Sequence, residues 1–199
     1  MIYPMLKKKW CFRCLAIFMI SCSIGYNDDD QISSFHALKD RLDSDYYIIS
    51  AISSEPVDVN MDGSRSRDLL LENPEIARAF IELNIFEDSN IFLEHWPIEY
   101  IGVPAGEELD STQYKSHYSL NYARYAIASY FDFDAETNHI TLIDPEPVID
   151  YTGKVDTRFV FPESIRMVTD DIVEAISIRN LYTKDGYVTV EITANYQRL

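Results

Sequence analysis

Asp58, Asn60 and Asp62 alternate along "DVNMDG", and Gly63 follows at once. Oxygen donors at every second position ahead of a glycine let a chain wrap a calcium ion: loop positions 1, 3 and 5 supply side-chain ligands, and the glycine at 6 makes the sharp turn. With Asp58 as position 1, Ser66 falls at 9, but position 12, where an EF-hand carries a bidentate Glu, is Leu69. The nearest acids are Asp68, one residue early, and Glu72, one helical turn further on. The stretch is therefore not a standard EF-hand. It reads either as a DxNxDG loop holding a structural Ca2+ and closed by Asp68 or Glu72, or as a turn at Asp62-Gly63 before a short helix, "RDLLLEN", capped by Ser66 and stopped by Pro74.

Aromatic side chains are the second group with chemistry in them. Tyr114, Tyr118, Tyr122, Tyr125, Tyr130 and Phe131 crowd one region, and His95, Trp96 and Tyr100 another. Such rings stack on sugars or line an apolar pocket, and they also simply fill cores. Trp96, Tyr100, Tyr118 and Tyr122, beside the polar 102–117 segment "GVPAGEELDSTQYKSH", form the candidate patch for a small apolar or glycan ligand or for a glycan or protein partner. Catalytic signatures are missing: there is no GxSxG and no HExxH, and His36, His95, His117 and His139 are scattered. The chain reads as a non-enzyme, with a hydrolase ranked behind a ligand-binding module and a partner-binding surface module.

The N-terminus says where such a module would work. Lys7, Lys8, Lys9 and Arg13 precede the uncharged run "CLAIFMI", which has the length of a signal-peptide core and is too short to span a bilayer. "MISC" then places Ser21 before Cys22, which resembles a bacterial lipobox with Met19 where leucine is usual. Residues 1–21 are read as a signal peptide, Cys22 as the lipid-modified first residue, and 22–33, with Asp28, Asp29 and Asp30, as an acidic tether. The "WCFRC" pair Cys11 and Cys14 lies inside the leader and is not a redox motif. Of 17 basic side chains four leave with the leader, so 13 face 33 acids and the remaining charge is −20. A chain this acidic repels nucleic acid and anionic membrane surfaces.

Residues 34–199 must then position these groups as one β-rich domain. Phe35, Leu38 and Leu42 predict a short helix over 33–43. Period-2 patterning predicts eight strands: Tyr46–Ser53, Ala77–Phe86, Asn90–Tyr100, Tyr118–Phe133, His139–Ile143, Arg158–Val168, Ile172–Tyr182 and Tyr187–Tyr196. In the last, Val188, Val190, Ile192, Ala194 and Tyr196 face one way, and Asp185-Gly186 before it is a two-residue hairpin signal. Short polar connections argue an antiparallel meander, closed as a lipocalin-like barrel or, alternatively, packed as a β-sandwich, with one or two short helices. The widest connection on this reading is 102–117.

The lipobox, the segment "VDVNMDGSRSRDLL" and the strand-rich remainder together resemble lipocalin-like surface lipoproteins of the Bacteroidota. The early aspartates resemble the export signal of that group. The resemblance implies a barrel-like domain held at the outer membrane, possible surface exposure, and no catalytic residues.

Overall fold

The computed structural model describes residues 28–150 and 153–199. Cys22 and the leader lie outside the described residues. The first element is a helix, α1 (Asp28–Leu42), which begins ahead of the predicted start, so residues 28–33 belong to it. Then come β1 (Ser44–Val57), β2 (Ser66–Asp68), α2 (Leu69–Glu72), a 3-10 turn (Ile76–Arg78), β3 (Phe80–Ile85), β4 (Asn90–Gly102), β5 (Ser119–Asp134), β6 (His139–Ile143), β7 (Ser164–Thr169), β8 (Ile172–Thr183) and β9 (Gly186–Arg198).

The strands run β1-β3-β4-β5-β6-β7-β8-β9 in space, each antiparallel to the next, and β9 returns to pair with β1. The sheet is thus a closed eight-stranded antiparallel barrel, lipocalin-like in form. That closure removes the sandwich alternative, because two stacked sheets would leave β1 and β9 as separate edges. β1 makes closure possible by its length. Residues 44–47 pair with β3 on one edge and residues 46–53 with β9 on the other, with a register shift between Ile48 and Ser50. Such a shift bends a strand, as a barrel corner requires. Beyond β3, Ile52 and Val57 pair instead with the short β2.

Alternation decides what lies inside. Val190, Ile192, Ala194 and Tyr196 of β9 are buried, and Val188 packs against the same core. Phe92 and Trp96 of β4, Ile127 and Phe131 of β5, and Val173, Ala175 and Leu181 of β8 are also buried. Each of the larger apolar side chains contributes about 1.5–3 kcal/mol when fully withdrawn from water. Together these side chains, Ile127 excepted, form one packed core.

The two ends differ. At the end where β1 starts, α1 lies across the opening. Leu42 is fully buried, Phe35 and Leu38 pack against the core, and the Arg41 guanidinium sits 5.1 Å from the centroid of Phe133. Arg198 of β9 donates to the main-chain carbonyls of Asp40, Arg41 and Asp43, which closes the C-terminus of the helix. At the opposite end lie the connections 58–79, 103–118 and 144–163. Among the described residues no helix is long and apolar enough to cross a membrane.

Two predicted strand starts move, and one short strand was not predicted. Residues 77–79 sit in or beside the 3-10 turn that follows Pro74, so β3 starts at Phe80. β7 starts only at Ser164, after Pro162, which makes the 144–163 connection longer than 102–117. β2 has three residues, too few to show any period. The β6–β7 seam is the thinnest in the barrel, with two paired positions, His139↔Arg166 and Ile140↔Ile165.

Candidate functional site

β4 and β8 carry charged residues in their buried phase. Glu94 falls between Phe92 and Trp96, and Arg179 between Ser177 and Leu181. The barrel brings them together: an Arg179 Nη donates to Glu94 Oε2 at 2.7 Å, and Arg179 Nε donates to Ser177 Oγ at 3.0 Å. The Tyr196 hydroxyl donates to Glu94 Oε1 at 3.3 Å, and burial holds that phenol well above its usual range. The guanidinium lies 4.3 Å from the Trp96 ring centroid. A desolvated cation on an indole face gains about 2 kcal/mol, and the fork of Arg suits a carboxylate better than an ammonium would.

Above this network is a cavity of about 300 Å3, lined by Trp96, Ile98, Glu99, Arg158, Arg179, Leu181 and Tyr187 among others. Glu99 Oε2 accepts from the Tyr182 N–H at 2.9 Å. Burial pushes the Glu99 carboxyl up to about 7, and that N–H offsets only part of the rise. Burial also raises the Tyr187 phenol, with the Glu99 charge adding to it. The 144–163 connection supplies the roof. Its Arg158 pairs with Asp156 at 2.5 Å and lies 5.1 Å from the Tyr100 ring, and its Phe159 meets Tyr125 edge-on at 5.5 Å.

The four predicted patch residues do not form one exposed surface. Trp96 and Tyr118 are buried. Trp96 and Tyr100 share a face of β4, paired opposite Tyr125 and Asn121, whereas Tyr122 lies on the other face of the β4–β5 pair, opposite Glu99. Tyr100 is 6.2 Å from Tyr125, and burial raises its phenol to about 12. Burial raises Tyr122 as well. Tyr118 instead anchors the 103–118 connection: its hydroxyl donates to the Glu108 carbonyl at 3.2 Å. So Trp96 belongs to the cavity and Tyr100 to its roof, while Tyr118 and Tyr122 serve the loop and the wall. Glu94, Arg179 and Glu99 were missed, although a charged residue in the apolar phase of a strand is the signal that marks the first two.

The acidic loop is built as follows. Asp58 is 5% exposed, and its Oδ2 accepts from the Gly63 N–H at 3.0 Å. Asn60 Oδ1 accepts from the Asp62 N–H at 2.9 Å, and Asp62 Oδ1 from the Ser64 N–H at 2.7 Å. Met61 and Gly63 have φ of 65° and 90°, a left-handed turn that glycine adopts freely and methionine does not. Asp68 caps α2 through Leu70 N–H at 3.0 Å, so the cap is Asp68, while Ser66 Oγ accepts from Asp68 N–H. Glu72 is buried, with Oε2 accepting from the Val59 N–H at 3.0 Å. Among the described residues no group of three or more His, Cys, Asp or Glu side chains is placed to hold a metal by itself.

These observations define the class: a closed antiparallel barrel, plugged by a helix at one end and open to a polar-aromatic cavity at the other. No protein-family model, curated protein sequence or solved structure matches the chain.

Proposed function

We propose that this chain is a lipid-anchored protein of the bacterial cell envelope whose barrel binds one small hydroxylated ligand, a monosaccharide-sized piece of glycan, in the cavity above Arg179. The observation that carries the reading is the cavity itself, about 300 Å3 with Trp96 and Tyr187 beside Glu99, Arg158 and Arg179. Aromatic faces next to fixed polar groups suit a sugar ring, whose C–H face stacks while its hydroxyls bond at the rim. A wholly apolar ligand fits worse, because it would desolvate Glu99 and Arg158 without replacing their hydrogen bonds.

The leader, Cys22 and the position of α1 support the anchoring. A tether leaving from α1 starts at the pole opposite the cavity, so the mouth faces away from the membrane. A partner-binding surface near Trp96 has less support, since Trp96 is buried. A hydrolase also ranks lower. Glu94 and Glu99 are five residues apart on one strand, an odd spacing that puts them on opposite faces, and Glu94 is tied up by Arg179. Paired glycosidase carboxyls flank one bond from a shared site.

The test is a thermal-shift and calorimetric screen of mono- and disaccharides. A binder should raise Tm by mass action, and Tyr187→Ala and Trp96→Leu should remove the shift. If no sugar binds, or if both variants bind as well as the parent, the glycan reading fails. Cys22→Ser should release the protein from the membrane fraction, and retention of that variant would end the anchoring claim.

A further inference from the structure

We propose that the loop 58–64 binds one Ca2+, with Asp58 as the central ligand. The sequence offers oxygen donors at Asp58, Asn60 and Asp62 ahead of Gly63, but an acidic turn would show those too. The deciding observation is the state of Asp58. Its side chain is 5% exposed, and Oδ1 is buried without a hydrogen-bond partner. The Gly63 N–H reaches back across the loop to Oδ2, so the carboxylate lies inside the turn. A carboxylate oxygen left so has lost its water and gained no hydrogen bond in return. A hard cation on the concave side of the turn is the partner that removes the cost, because Ca2+ takes carboxylate, amide and main-chain oxygens.

The other donors are compatible with that. Asn60 Oδ1 and Asp62 Oδ1 each accept one main-chain N–H, which leaves each a lone pair for a metal. The glycine at position 6 turns the chain tightly, as a calcium loop requires. Of the two predicted closing acids, Asp68 sits at the start of α2 and caps it through Oδ1, and it is not gathered with Asp58 and Asp62 into a metal-holding group. Glu72 Oε2 is bonded to the Val59 N–H, and no third acid gathers with Asp58 and Asp62 among the described residues. With so few charges the site belongs at the weak end of calcium affinities, a dissociation constant on the order of 0.1–1 mM, the range of extracellular modules. Main-chain carbonyls and water make up the remaining coordination.

The probe is Ca2+ alone, titrated into the chelator-stripped protein and followed by calorimetry and Tm, with Mg2+ as competitor. One saturable site and a raised Tm are expected. Asp58→Asn keeps an acceptor for Gly63 but loses the charge, and should weaken binding at least tenfold. Asp62→Asn, at an exposed position, should weaken binding without altering the Tm in chelator, which separates metal loss from misfolding. Asp68→Asn still caps the helix and should bind as the parent does. Absence of heat and of any Tm shift at 5–10 mM Ca2+ (roughly ten times the expected constant) overturns the proposal. So does full binding by both Asp58→Asn and Asp62→Asn, which would mean scattered association with the acidic surface.

Discussion

Arg179 meets Glu94 at 2.7 Å inside the barrel, with 4% and 2% of the two side chains exposed. Desolvating two charges costs about as much as their attraction returns, so the pair adds little net stability, but breaking it strands a charge. Arg179→Met and Glu94→Leu should each lower the unfolding free energy by about 3–5 kcal/mol. The double variant should lose much less than the sum. Urea denaturation of the four proteins measures this, and additive losses would show that the two groups do not depend on each other.

Glu99 sets a pH dependence. Its carboxyl ionises near 7 in the folded protein against an ordinary value of 4.5. Between these values the folded state holds the proton that the unfolded state has released, so stability falls as pH rises from about 4.5 through 7. Glu99→Gln removes the titrating group and keeps an acceptor for Tyr182. It should flatten the decline and raise Tm at pH 8 relative to the parent, as read by Tm against pH. A decline of unchanged slope in that variant would assign it to other groups.

Gly186 is pinned twice. Its φ is +93°, and a Cβ there would run into the main chain of Ser111 and Thr112. Gly186→Ala should destabilise the protein by more than the roughly 1 kcal/mol of left-handed strain alone, because the 103–118 connection must also move. Gly63 has a similar φ with open space around it, so Gly63→Ala should cost about that strain and no more. Protease cutting between 103 and 118 in Gly186→Ala, and not in Gly63→Ala, is the expected pattern.

Arg198 fixes the plug. Its three donations to the carbonyls of Asp40, Arg41 and Asp43 satisfy acceptors that a helix end leaves open. Arg198→Ala should cost about 1–3 kcal/mol and speed amide exchange in α1 while leaving β8 unaffected. Uniform acceleration would instead mean that the helix and barrel open as one unit.

How much of this was legible depended on the range of the cause. β6 and the inward face of β9 were read correctly because strict alternation is a local signal, and Asp185-Gly186 marked its hairpin. The barrel form followed from the count of strands and their short connections. α1 was read too short because its first turn is acidic and polar, with nothing apolar to show a period. β7 was read too long because "FVF" has strand-forming residues, but the backbone joins the sheet only at Ser164, after Pro162. The Glu94–Arg179 pair joins positions 85 residues apart, and no local pattern names the partner. The aromatic cluster was visible, but which ring is buried depends on the strand face, and that split Trp96 from Tyr122.

Closure of the barrel joins residues that are made at very different times. Ser50 of β1 bonds Asn195 of β9, 145 positions later. At synthesis rates of about 5–20 residues per second, β1 waits on the order of ten seconds for its second neighbour. During that interval the sheet has two raw edges and no sealed interior, and long-range pairing of this kind is slow even once the chain is whole. For a chain bound for the envelope, as proposed, the delay is useful: a segment that has not yet closed on itself can still be threaded through a membrane.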